Sequence, residues 1–204
     1  AVLSDTLDAL GLRNQAMRSI IRPLDLALDM VGRARTGLFM PVYHVEPAIN
    51  PYELEIRLID SLDADQVVVL ACGDSGRIAP WGELLSTAAM ARKAAGCVTD
   101  GLVRDVRQIR RMGFPVFHGG IGPLDSKGRG RIMEIEVPVE CAGVLVRPQD
   151  LVVGDADGVV VIPRDVEEAV ISRAIQKVTG ENDTREALLR GESLQSVFQR
   201  YGIL

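Results

Sequence analysis

Between Val67 and Asp105 the chain runs strand, glycine-rich loop, helix, strand, and this order constrains its fold more than any other feature. Val67–Cys72 reads VVVLAC, an unbroken apolar run of strand length, as a strand buried on both faces requires. Gly73-Asp74-Ser75-Gly76 interrupts it. An alanine-rich stretch from about Glu83 to Ala95 has helical character, and a second apolar segment, Cys97–Thr99, leads into Asp100-Gly101 and then Arg104-Asp105. Two parallel strands need a crossover, which a helix supplies with right-handed sense, so both loops open at one edge of the sheet. Open α/β folds bind ligands at that edge. The first amides of a helix starting at Glu83-Leu84-Leu85 lack intrahelical acceptors. Together with the Arg104 guanidinium they attract an anion, and the Asp105 carboxylate attracts a metal.

The length of 204 residues suits one α/β domain, or one domain with a tail. A net charge of -5 and an aromatic content of 4% argue against a nucleic-acid surface. No apolar run approaches the ~20 residues of a membrane span, and no signal-peptide pattern is visible, so a cytoplasmic protein is expected. Cys72, Cys97 and Cys141 sit in apolar contexts without metal-ligand spacing. They read as buried thiols in a reducing compartment.

Around the central unit, Ser4 reads as the cap of a helix over Asp5–Leu10, Met30–Phe39 as a strand and Pro47–Ser61 as a helix with Leu54, Leu58 and Ile59 on one face. Val106–Met112 reads as a helix, Pro115–Phe117 as a strand, and His118–Arg131 as a long loop. Further strands are expected over Ile132–Pro138, Val144–Val146, Leu151–Val153 and Val159–Ile162, then a helix over Arg164–Val178. Residues 1–179 form the domain on this reading. Residues 180–204 form a helical tail with little core of its own, which packs on a neighbouring subunit.

Arg104-Asp105 could be a surface ion pair, or Asp105 a helix cap. The ligand edge, the adjacent Asp100-Gly101 and the facing helix start favour a site. Glu83 is either a first-turn acid complementing the helix dipole or a catalytic group. Asp74 and Asp100 read as turn residues, and Asp155-Ala156-Asp157-Gly158 as a hairpin turn that lacks the later ligands of a calcium loop. Lys127 and Arg129 read as part of a solvated loop. His118, Arg77 and Lys127 could each contact a distal carboxylate of a ligand. The three lysines, Lys93, Lys127 and Lys177, lie on no strand pattern, so none is desolvated enough for Schiff-base chemistry. Carbon–carbon cleavage beside a ketone would then need a metal as electron sink.

SDTLDALG (Ser4–Gly11), GRART (Gly32–Thr36), WGELL (Trp81–Leu85), DGLVRD (Asp100–Asp105), PVF (Pro115–Phe117) and GDADGVVVIP (Gly154–Pro163) follow in order. In this the chain resembles the RraA-like proteins, which include the class II 4-hydroxy-4-methyl-2-oxoglutarate/4-carboxy-4-hydroxy-2-oxoadipate aldolases. The resemblance implies an αββα sandwich of the swivelling phosphohistidine-domain type, assembled as a homotrimer or a hexamer. It implies Mg²⁺ or Mn²⁺ held by Asp105 and waters, Arg104 forked onto the carboxylate of a pyruvyl group, and a carboxylate pocket completed at Gly82, Leu84 and Leu85. It also implies catalytic roles for Glu83 and for Glu181, the latter supplied from the tail of an adjacent subunit. Three positions differ from the family pattern: Gln108 replaces an acid, Asn182 replaces the second acid of the tail motif, and Pro148-Gln149-Asp150 replaces the usual PGD turn.

The implied activity is retro-aldol cleavage of a 4-hydroxy-2-oxo acid to pyruvate and a second carbonyl compound, with decarboxylation of oxaloacetate at the same site. The alternative is a non-catalytic relative that binds and inhibits an endoribonuclease. A menaquinone methyltransferase, a third label in the family, does not fit, because Gly73-Asp74-Ser75-Gly76 is not an S-adenosylmethionine loop.

Overall fold

The computed structural model describes residues 1–202. The chain forms two compact units, one comprising Asn14–Arg164 and the other Ala1–Arg13 together with the residues from Asp165 onward.

The larger unit is a mixed α/β fold. Its elements are β1 (Arg22–Pro23), β2 (Met30–Pro41), α2 (Glu53–Asp60), β3 (Gln66–Ala71), α3 (Glu83–Ala91), β4 (Gly96–Val103), α4 (Val106–Met112), β5 (Val116–Ile121), β6 (Gly130–Ile135), β7 (Val139–Cys141), β8 (Val144–Val146), β9 (Leu151–Asp155) and β10 (Gly158–Ile162). The eight-stranded sheet has the order β1-β5-β4-β3-β2-β9-β10, with β6 also on β2. β2, β3, β4 and β5 pair in parallel, and antiparallel strands flank them. The long β2 pairs with β9 through Met30–Arg33 and with β6 through Gly37–Pro41 on the edge away from β3.

The apolar run of β3 is explained by burial on both faces. Val67, Val69 and Ala71 enter one core with Phe117, Val144 and Val152. Val68, Leu70 and Cys72 enter the other with Leu58, Trp81, Ile109 and Phe114, under the helices. A two-residue period buried on both sides leaves no polar alternation to read. The three cysteines are free and buried, and burial pushes each thiol up.

Several sequence expectations are corrected. β4 continues through Asp100 and Gly101 to Val103, so these are strand residues. Asp100 is buried, and its carboxyl accepts the backbone N–H groups of Cys72 at 2.5 Å, Asp74 at 3.2 Å and Ala142 at 3.4 Å. β5 extends to Ile121 and β6 begins at Gly130, which shortens the expected loop from both ends. The helix expected from Pro47 begins at Glu53. β7 was not expected.

The smaller unit packs α1 (Val2–Ala9) against α5 (Glu167–Leu189), followed by α6 (Leu194–Tyr201). α1 is capped at Ala1, not Ser4. α5 passes through Gly180 without a break, because the i to i−4 ladder tolerates one glycine at a cost of about 1 kcal/mol. Residues 203 and 204 of the expected tail lie outside the described residues.

Candidate active site

The helix start and the Arg-Asp pair meet at the carboxyl end of β4. Arg104 N–H donates to the Trp81 carbonyl at 3.0 Å, and Trp81 bridges to Val103 in parallel. This holds the segment before α3 alongside the end of β4. Asp105 sits at the N-cap of α4 with φ 58° and ψ 30°, a left-handed conformation that aspartate tolerates better than most residues. Its side chain makes no capping bond to α4. Instead Asp105 Oδ2 accepts the backbone N–H of Glu83 at 3.2 Å, at the positive end of the facing helix.

Gly82 makes that approach possible. A Cβ there would lie 2.7 Å from Asp105 Oδ2 and 3.1 Å from Arg104 Nε. The requirement is space, since Gly82 is in extended backbone with φ −157°.

Gly82, Leu84, Leu85, Arg104 and Asp105 all line one cavity of about 340 Å³. The Leu84 and Leu85 amides fall in the first turn of α3 and have no intrahelical acceptor. Arg104 Nε lies 3.7 Å from Asp105 Oδ2, and Nη1 lies 3.4 Å from both Asp125 Oδ1 and the Leu124 carbonyl. Among the described residues, Arg104 Nη2 and Asp105 Oδ1 have no protein partner.

The same cavity brings in residues that sequence reading missed: Tyr52, Glu55 and Asp125. Tyr52 Oη donates to Asp125 Oδ2 at 2.5 Å, and burial together with that bond pushes the phenol up to about 12. Glu55 is 6% exposed and makes no protein hydrogen bond among the described residues. Burial, reinforced by Asp125 and opposed by Arg104, pushes its carboxyl up to about 8. One signal for Glu55 was present in the sequence: it lies three and four residues before Leu58 and Ile59, on the apolar stripe of α2. Asp125 carried no such signal.

Other expected residues lie elsewhere. The Glu83 side chain is not among those lining this cavity or the neighbouring one at Val106 and Gly122. Glu181 lies on α5 of the smaller unit, 3.9 Å from Lys177 Nζ. His118 is buried within β5, where burial and then Arg110 lower its proton affinity. Arg77 stacks over the Tyr43 ring at 4.5 Å. No group of three or more metal-ligating His, Cys, Asp or Glu side chains occurs among the described residues.

A candidate 4-hydroxy-4-methyl-2-oxoglutarate aldolase of Halalkalibacterium halodurans is 39% identical over 184 residues, covering 90% of this chain and 81% of its own. A 4-hydroxy-4-methyl-2-oxoglutarate aldolase of Thermus thermophilus is 30% identical over 107 residues, 52% of this chain and 65% of that protein. The crystal structure of Streptomyces coelicolor RraAS2, described as an unusual member of the RNase ES inhibitor RraA family, superposes with a TM-score of 0.81 at 28% identity. It covers 90% of this chain and 89% of its own. The RraA-like family profile, Aldolase/RraA, matches residues 1–161. With most of its length matched, and the Gly82 and Arg104-Asp105 segments inside the match, the chain belongs to the RraA-like family.

Proposed function

We propose that this protein is a class II pyruvate aldolase, a divalent-metal-dependent carbon–carbon lyase. It cleaves 4-hydroxy-2-oxo acids to pyruvate and a second carbonyl compound, and decarboxylates oxaloacetate at the same site. The observation that carries this reading is that Arg104, Asp105 and Leu84 and Leu85 from the first turn of α3 line one cavity.

The residues fit Mg²⁺ or Mn²⁺. Mg²⁺ is commonly held by one or two carboxylates, with waters and substrate oxygens completing the octahedron. Asp105 is 40% exposed and keeps Oδ1 unengaged, while Oδ2 is fixed by the Glu83 amide. A single oriented carboxylate on the wall of a solvent-accessible cavity suits that mode, and a set of three protein ligands is not required. When bound, the cation supplies Lewis-acid stabilisation of the negative charge that develops on the 2-oxo oxygen.

The remaining steps fall to the chain. Arg104 and the two amides bind the carboxylate of the 2-oxo acid and set its plane. The Trp81, Pro80 and Leu85 walls limit water around the reacting carbons. Retro-aldol cleavage also needs a base for the C4 hydroxyl proton. Glu83, or Glu181 from a neighbouring copy, would serve through a water. Decarboxylation needs no such base. The trimeric or hexameric assembly this implies finds support in the smaller unit, where Val2, Ile171, Ile175 and Val178 line an apolar depression of about 370 Å³ with Ile175 64% exposed.

The test couples pyruvate release to lactate dehydrogenase, with oxaloacetate and 4-hydroxy-4-methyl-2-oxoglutarate as substrates. Turnover that requires both Mg²⁺ and Asp105 is expected. The likeness to Streptomyces coelicolor RraAS2 favours a second reading, an inhibitor that binds an endoribonuclease. That reading predicts inhibition of the nuclease unaffected by EDTA, with no release of pyruvate.

A further inference from the structure

Arg104 is a long, flexible cation on the cavity wall. Ordering one such side chain as an anion binds weakens the binding by roughly two- to tenfold. Here the guanidinium is already held, since Nη1 lies 3.4 Å from Asp125 Oδ1 and from the Leu124 carbonyl. An ion pair between side chains 39% and 34% exposed does little on its own, because water competes and both ends can swing away.

Asp125 is not free to swing. Its Oδ2 accepts the Tyr52 hydroxyl at 2.5 Å, and its Oδ1 accepts the Ser126 N–H at 2.8 Å. Both anchors are fixed in turn. Tyr52 stands at the N-cap of α2, where its carbonyl accepts the Ile56 N–H at 2.8 Å. Ser126 is buried, and its carbonyl accepts the N–H groups of Arg129 and Gly130 where β6 begins. Gly122 N–H donates to the Val103 carbonyl at 3.0 Å, which pins the other end of the segment to β4. A continuous set of contacts thus runs from α2 through Asp125 to Arg104, and Tyr52, Asp125 and Arg104 all line the cavity.

The charge of Asp125 and its geometry act on an incoming anion in opposite directions. By charge alone, a carboxylate beside the guanidinium opposes the anion, and its removal tightens binding. By geometry, its removal frees the guanidinium and weakens binding. The sign of the effect separates the two.

We propose that Asp125, locked by Tyr52, is a positioning residue that presets the Arg104 guanidinium to receive the carboxylate of the 2-oxo acid. The inference rests on that carboxylate binding at Arg104, as in the proposed function.

Pyruvate, the product common to both proposed reactions, is titrated calorimetrically against wild type, Asp125→Ala, Asp125→Asn and Tyr52→Phe. All are saturated with Mg²⁺, so the charge of the cation is the same throughout. Mg²⁺ binding without pyruvate, and KM and kcat with oxaloacetate, are measured for each protein. Asp125→Ala should weaken pyruvate binding about tenfold and Tyr52→Phe about threefold, although the first removes a negative charge. Asp125→Asn should stay within about twofold of wild type, since its amide oxygen still accepts from Arg104 and Ser126 and its NH₂ can donate to the Tyr52 oxygen. KM for oxaloacetate should rise in the same order, with kcat changed less and Mg²⁺ affinity not at all. Pyruvate binding that is unchanged or tighter in Asp125→Ala overturns the positioning role and leaves the lyase reading intact. So does a loss shared equally by Asp125→Ala and Asp125→Asn, or one that follows weakened Mg²⁺ binding. The expected order of pyruvate affinities without turnover of oxaloacetate or 4-hydroxy-4-methyl-2-oxoglutarate supports the positioning and counts against the lyase. A wild type that binds no pyruvate overturns both.

Discussion

The backbone N–H of Glu83 donates to Asp105 Oδ2 across 3.2 Å, so the start of α3 holds the side chain of the residue at the N-cap position of α4. This one bond ties the first turn of α3 to the carboxylate proposed to hold the metal.

Gly82 is the residue on which that bond depends. In Gly82→Ala the new Cβ falls 2.7 Å from Asp105 Oδ2. The carboxylate is the movable partner, so it rotates away and the backbone stays. The expected result is a loss of metal-dependent turnover of tenfold or more, with a melting temperature changed by only a few degrees. Mg²⁺ titration of activity beside a thermal melt checks it. Unchanged metal dependence would show that the Asp105 orientation is not what matters.

Asp100 makes the opposite kind of contribution, to folding. Its carboxyl accepts three backbone amides, from Cys72, Asp74 and Ala142, in a buried position. Asparagine offers one acceptor and turns an NH₂ toward donors, which leaves buried N–H groups unpaired. Asp100→Asn should therefore cost about 2 kcal/mol or more, read as a shift of the urea midpoint at constant m-value.

The central unit was legible because its signals are local: a strand buried on both faces, a glycine break and a helix of small residues. The start of α3, the extent of α4 and the Arg104-Asp105 pair were all read from the sequence. Asp100 was misread as a turn residue because Asp-Gly usually signals one. Here Gly101 sits in strand β4, where a Cβ would come within 3.0 Å of Cys72 Sγ, the Ile78 carbonyl and Pro80 Cδ. Tyr52 and Asp125 escaped notice because they meet across 73 residues, and no local pattern encodes that contact.

Gln149 holds a left-handed backbone at φ 73° in the Pro148-Gln149-Asp150 turn. Only glycine adopts that region without steric cost. Gln149 donates its N–H to the Ala34 carbonyl at 2.9 Å, a bond that glycine preserves. Gln149→Gly should stabilise the protein by up to about 1 kcal/mol, because relief of strain outweighs the added unfolded-state entropy. Comparison of thermal midpoints checks it, and a lower midpoint would show that the glutamine side chain contributes more than the backbone loses.

Glu55 gives the fold a distinctive pH dependence. Its carboxyl rises from an ordinary value of 4.5 to about 8 on folding. Below the ordinary value both states are protonated and the group has no effect. Between the two values the unfolded chain releases the proton and the folded chain keeps it, so stability falls as pH rises. Above about 8 both states are ionised and the decline stops. Glu55→Gln removes the titration. The variant should lose less stability than the wild type between pH 5 and pH 8, by on the order of a few kcal/mol. Urea denaturation at matched pH values measures the difference directly. Parallel curves for the two proteins would mean that the Glu55 carboxyl ionises in the fold as it does in the unfolded chain.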